Sequence, residues 1–100
     1  MGLTDDRNDP GLGQMRPDGQ QETYLVLSEL ERAKGFVRPV RRTYRHDVCG
    51  TVTTMGLPIA ETYARNPGFY GGTFCAGCCA HFPVGEQGEF TWLDGTKVGT

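Results

Sequence analysis

Apolar residues along this chain fall into short runs cut by glycine, proline and aspartate, so the pattern predicts several small elements. Thr23–Leu27 (TYLVL) is β-branched and aromatic and predicts a strand or extended segment. Ser28-Glu29-Leu30-Glu31 is a capping box. The Ser28 hydroxyl can accept from the Glu31 amide while the Glu31 side chain reaches back. Good helix formers continue to Lys34, and Gly35 supplies a terminating glycine, giving a helix of under two turns. Phe36–Arg38 and Val40–Tyr44 read as extended, and Pro39 between them suggests a sheet edge. Thr51–Met55 has strong β propensity. Gly56-Leu57-Pro58 opens a second helix with Ile59 and Tyr63 on one face, and Asn66-Pro67-Gly68 stops it. Phe69–Phe74 predicts a glycine-softened strand. Glu89–Leu93 and Thr96–Val98 flank Asp94-Gly95, a strong hairpin signal. There are no internal repeats. The expected fold class is α+β, with short antiparallel strands and two short helices.

Composition divides the chain in two. Residues 1–21 hold four aspartates, four glycines and two prolines with few apolar side chains, and predict a flexible tail. Residues 22–100 then form one domain, near the size at which a core needs a staple. With 15 glycines and a hydrophobic fraction of 37%, that core is thin. The opening residues lack the basic start and apolar run of a secretory signal, and no stretch is apolar enough to span a membrane. The expected location is cytoplasmic, where clustered cysteines bind metal more often than they form disulfides.

Two segments carry that chemistry. Cys75-Ala76-Gly77-Cys78 and His46-Asp47-Val48-Cys49 each place two residues between candidate ligands, the gap that lets one tight turn deliver a pair to a tetrahedral ion. The spacing predicts one structural Zn²⁺ held by His46, Cys49, Cys75 and Cys78, in a zinc-ribbon-like arrangement with a helix between the turns. His81 follows Cys78 by the same gap and is the alternative fourth ligand. Cys79 is expected to be a free thiol or a small buried filler. A redox Cys-X-X-Cys pair and cysteines buried as small hydrophobes are the competing readings, but the βαβ surroundings of the first are missing.

Three stretches carry a resemblance: YLVLSELERAKGFVRPVRRTYRH (Tyr24–His46), CGTVTTMGLPIAETYARNPGFYGGTFC (Cys49–Cys75) and CCAHFPVGEQGEF (Cys78–Phe90). They resemble small proteins encoded by bacteriophages and prophages, over nearly the whole of residues 22–100. In those proteins a long insertion often separates the histidine-bearing strand from the Cys-Gly, whereas here only Asp47 and Val48 intervene. The resemblance implies a phage setting and brings no activity with it.

Net charge is −2, yet Arg32–His46 carries six basic residues and no acid, against four basic and twelve acidic residues elsewhere. In a strand, Arg41, Thr43 and Arg45 would share one face, with Val40, Arg42 and Tyr44 on the other. Arg38, Arg41, Arg42, Arg45 and Tyr44 are therefore the candidate partner-binding residues. Such a row could hold phosphates and stack on bases of DNA or RNA, meet an acidic protein surface, or pair with the chain's own carboxylates. Four protein ligands would leave no open metal position, and Gly71-Gly72 lacks the lysine and helix start of a phosphate loop. The expectation is a noncatalytic, zinc-stabilised accessory protein docking on a host or defence protein. Nucleic-acid binding through Arg38–Arg45 is the alternative.

Overall fold

The computed structural model describes Gly2–Thr100. The elements run β1 (Gly2–Thr4), β2 (Thr23–Leu25), α1 (Glu29–Arg32), β3 (Thr43–His46), β4 (Val52–Thr54), α2 (Leu57–Arg65), β5 (Gly72–Cys75), β6 (Ala80–Pro83) and β7 (Phe90–Trp92). The class is α+β, as the patterning predicts.

Local signals explain both helices. Ser28 Oγ accepts from the Glu31 amide at 3.2 Å, so α1 starts where the capping box places it. The Glu31 carboxylate does not reach back; it pairs instead with Lys34 and Arg65. Pro58 lies in the first turn of α2, whose inner face buries Ala60, Thr62, Tyr63 and Ala64. Thr62 Oγ1 donates to the Pro58 carbonyl and accepts from the Leu27 amide, which ties α2 to the chain after β2.

The strands form three sheets, two of which border the core. The largest is antiparallel in the order β4-β3-β7, with Tyr44 opposite Thr53 and Trp92, and His46 opposite Phe90. Alternation along β3 turns Tyr44 and His46 inward and Arg45 outward. β5 and β6 form a second antiparallel pair, with Cys75 opposite Ala80. Tyr44, Met55, Tyr63, Cys75, Phe90, Trp92 and Val98 meet between these layers and α2. Asp94-Gly95 makes the turn after β7: Gly95 has φ +93°, and the Trp92 amide donates to the Thr96 carbonyl at 2.8 Å.

Strands are shorter than the propensities suggest. Phe36–Arg38 is irregular, because the Val37 and Arg38 amides both donate to the Ala64 carbonyl at the end of α2. Likewise β3 begins at Thr43 rather than Val40, and β5 at Gly72 rather than Phe69. The largest difference lies in residues 2–21, expected as a tail. They are laid along the domain: β1 pairs in parallel with β2, and bridges join Leu12 to Thr23 and Met15 to Gln21. The aspartates build the turns of this strap. Asp6, Asp9 and Asp18 carboxylates accept from the Asn8, Gly11 and Gln20 amides. No helix among the described residues is long and apolar enough to cross a membrane.

Candidate metal centre

Two tight turns bring four side chains of ligating type together. The first joins β3 to β4, closed by Gly50 N–H donating to the His46 carbonyl at 2.7 Å, with Gly50 at φ +77°. The second joins β5 to β6, and there the Cys78 amide points at Cys75 Sγ, 3.4 Å away. A Cβ at Gly77 would fall 2.1 Å from Thr51 Oγ1, so glycine is what lets the second turn press against the first.

The donor atoms of His46, Cys49, Cys75 and Cys78 all lie within 4.8 Å of one another. His46 Nδ1 is 3.2 Å from Cys49 Sγ and 3.6 Å from Cys78 Sγ, and the Cys49 and Cys75 sulfurs are 3.5 Å apart. That sulfur separation is far beyond a disulfide bond of about 2.05 Å. Bonds of about 2.0–2.3 Å to a tetrahedral ion set its nitrogen and sulfur ligands about 3.5–3.8 Å apart, so the spacing suits one such ion. His46, Cys49, Cys75 and Cys78 are close enough to hold one metal ion.

The histidine is fixed from every side. His46 is 1% exposed, and its ring packs against both Phe82 and Phe90, with centroids 4.6 and 4.7 Å away. Its Nε2 faces Glu89 Oε1 at 2.9 Å, which leaves Nδ1 for the ion. Burial lowers the His46 pKa, and the hydrogen bonds to Glu89 and Cys49 outweigh it, for a net rise. The Thr51 hydroxyl and amide draw Cys49 down to about 6. Desolvation, together with the sulfurs of Cys49 and Cys75, pushes Cys78 up to about 12. Three sulfurs this close resist ionising together, and a divalent cation among them reverses that repulsion.

His81 is outside the cluster. It sits on β6, where its Nε2 meets the Tyr24 hydroxyl at 2.9 Å; the cluster contains His46, the expected histidine, and not the alternative His81. Strand geometry explains this: once β6 begins at Ala80, His81 stands opposite Phe74 rather than in the ligand turn. Cys79 is exposed, at φ +53°, and is not among the ligating atoms.

The basic segment is largely engaged within the chain. Arg41 pairs with Asp94 at 3.2 Å and lies over the Trp92 ring, 4.9 Å from its centroid. Arg42 Nε donates to the Met55 carbonyl at 3.1 Å, and Arg38 Nε to the Thr100 carbonyl at 3.3 Å. Arg45 lies 3.6 Å from Asp47 and remains half exposed. Tyr44, expected on the partner-facing stripe, is buried in the core, and its hydroxyl donates to the Phe74 carbonyl. Inward alternation along β3 removes it from any surface.

Glu89, Phe82, Phe90 and Thr51 escape sequence reasoning. Glu89 is 43 residues from His46, and only the pairing of β3 with β7 brings it close.

No protein-family model matches the chain, and no curated protein or solved structure matches it significantly.

Proposed function

We propose that this chain is a noncatalytic, zinc-clipped binding module of zinc-ribbon type. It acts by docking on a protein, as expected of a phage-type accessory or inhibitor of a host or defence factor. The carrying observation is the ligand set. Three cysteines and a histidine from two facing turns supply four protein donors, enough to fill a tetrahedral ion and make it structural. Three sulfurs and one imidazole are also a donor set that favours zinc over harder divalent ions. Thiols that must stay reduced for this fit a cytoplasmic setting.

Protein is preferred to nucleic acid because the arginines are tied down. Arg38, Arg41 and Arg42 each donate inside the chain, and Arg41 also stacks on Trp92. Beside the half-exposed Arg45, the β3–β4 hairpin offers two apolar side chains outward: Val48, 74% exposed at the tip of the turn, and the exposed Val52 on β4. Apolar side chains on a metal-stiffened hairpin are suited to a protein contact.

The test uses the zinc-loaded chain as bait for host proteins, beside Val48→Asp and Val52→Asp variants shown to keep one zinc. A stable complex that both variants lose supports the reading. Salt-dependent binding to generic DNA or RNA that falls with Arg42→Ala and Arg45→Ala would replace it with nucleic-acid binding. Turnover of nucleotides that stops on chelation while the fold survives would replace it with an enzyme.

A further inference from the structure

The three cysteines of the cluster are not equally reachable. Cys49 and Cys78 are exposed, whereas Cys75, at the end of β5, is 0% exposed. Cys49 Sγ and Cys75 Sγ are 3.5 Å apart, although 26 positions separate them in the chain. An exposed cysteine thus touches a buried one, and the contact runs between the two hairpins rather than within either turn.

Such a pair is one two-electron oxidation away from a disulfide. Closing 3.5 Å to a bonded length of about 2.05 Å asks for a sulfur movement of about 1.5 Å. The bond would join the same two hairpins that the four donor atoms join, and it would close a long loop, which restricts the unfolded chain. A bond between Cys75 and Cys78 would lie within the β5–β6 turn and leave the β3–β4 hairpin unattached. Other contacts at the site need no ion. His46 packs against Phe82 and Phe90 and meets Glu89 at 2.9 Å, and Gly77 sits directly against Thr51 of the facing turn.

We propose that Cys49 and Cys75 form a reversible oxidation site, in which hydrogen peroxide links the two hairpins by a disulfide, the metal is released and the fold stays closed. The Cys49 thiolate attacks one peroxide oxygen, the O–O bond breaks, and hydroxide leaves and is protonated to water. Cys49 is then a sulfenic acid. The Cys75 thiolate attacks its sulfur, the S–S bond forms, the S–O bond breaks, and the second hydroxide leaves as water. In total two thiolates give two electrons to peroxide, which with two protons becomes two waters. Only Cys78 and His46 of the four donors then remain, too few to hold a structural ion. A reducing thiol reverses the step by attacking the disulfide from the exposed Cys49 side, as suits a transient disulfide in a reducing compartment. The inference rests on the metal reading of the cluster and not on the docking reading.

The test treats the full-length, zinc-loaded chain with hydrogen peroxide in the presence of a chromophoric zinc chelator, followed by thiol counting, peptide mapping by mass spectrometry and thermal melting. Release of one zinc per chain, loss of two of the four thiols and a Cys49–Cys75 cross-link are expected, with a melt that stays cooperative without metal. A dithiol reductant followed by zinc should restore all four thiols and the bound ion. Cys79→Ser, outside the cluster, should form the same cross-link and keep one thiol. A cross-link through Cys78 or Cys79 in its place, a chain that unfolds as zinc leaves, or four thiols retained under peroxide that fully oxidises free glutathione would each overturn the proposal. A chain purified without zinc overturns the metal reading instead, and the same mapping on that chain still decides whether Cys49 and Cys75 cross-link.

Discussion

A histidine that ligates through Nδ1 must keep its remaining proton on Nε2, and at His46 that nitrogen meets the Glu89 carboxylate at 2.9 Å. Glu89 therefore fixes tautomer and ring orientation together. Glu89→Ala is expected to weaken zinc binding by about 10- to 100-fold, and Glu89→Gln by less, since an acceptor remains. Competition against a chromophoric chelator reads both. His81 calls for a different measurement. Burial lowers its pKa, so the clasp between His81 and Tyr24 holds a neutral ring. A histidine whose folded-state value lies below 6.5 contributes stability that is complete above that pH and lost as pH falls through the lowered value. Hydrogen-exchange protection of the Gln21 and Tyr24 amides should fall in that window, and His81→Asn should remove the pH dependence without releasing zinc. The cluster of His46, Cys49, Cys75 and Cys78 is legible in the chain because each pair lies within one turn, where spacing alone dictates proximity. Glu89 is not, because its role exists only after β3 and β7 pair. Tyr44 was misplaced for a related reason: alternation sorts a strand into two faces but does not say which one the core covers.

At the scale of elements, the signals that worked were those complete within a few residues. The Ser28 cap, Pro58 opening α2 and Asp94-Gly95 turning after β7 each carry their own hydrogen-bonding logic. The signals that failed depended on partners. Val40–Arg42 has strand-like composition, but Arg41 is drawn to Asp94 and Trp92, and regular pairing begins only at Thr43. Residues 2–21 have the composition of a tail, yet their aspartates accept from nearby amides and β1 finds an edge at β2. Gly19 is the point where this strap meets the ligand turn. A Cβ there would lie 1.8 Å from the Cys79 carbonyl oxygen, at φ +90°. Gly19→Ala therefore cannot keep this contact. Forcing such a position costs roughly 1–3 kcal/mol, a large share of what a short strap can contribute. The expected outcome is lost exchange protection over residues 2–21, with zinc content and the Trp92 environment unchanged. If the strap stays protected in Gly19→Ala, its seat on Cys79 is not what holds it.

For the molecule as a whole, the two ligand turns belong to different sheets. His46 and Cys49 come from the β3–β4 hairpin, and Cys75 and Cys78 from the β5–β6 hairpin, so an ion bound by all four joins the sheets at one end. They are also joined by the aromatic core around Tyr44, Tyr63 and Trp92, which runs up to Cys75 itself. Zinc binding in small metal-folded domains is worth about 10–16 kcal/mol in apparent terms. A domain of this size has a total stability of roughly 5–15 kcal/mol. The clip is therefore expected to decide whether the core closes, even though Phe90 and Val98 are fully buried once it does. Purified protein should carry one zinc per chain. A strong chelator under reducing conditions should collapse its NMR dispersion and cooperative melting, and one equivalent of zinc should restore both. The variants sharpen this. Cys75→Ser removes a ligand that is wholly buried and should abolish folding, whereas Cys79→Ser leaves the cluster intact and should melt like the parent. A chain that melts cooperatively after chelation would show that the aromatic core holds the two sheets by itself, and the closed metal site would then no longer explain why so small a core suffices.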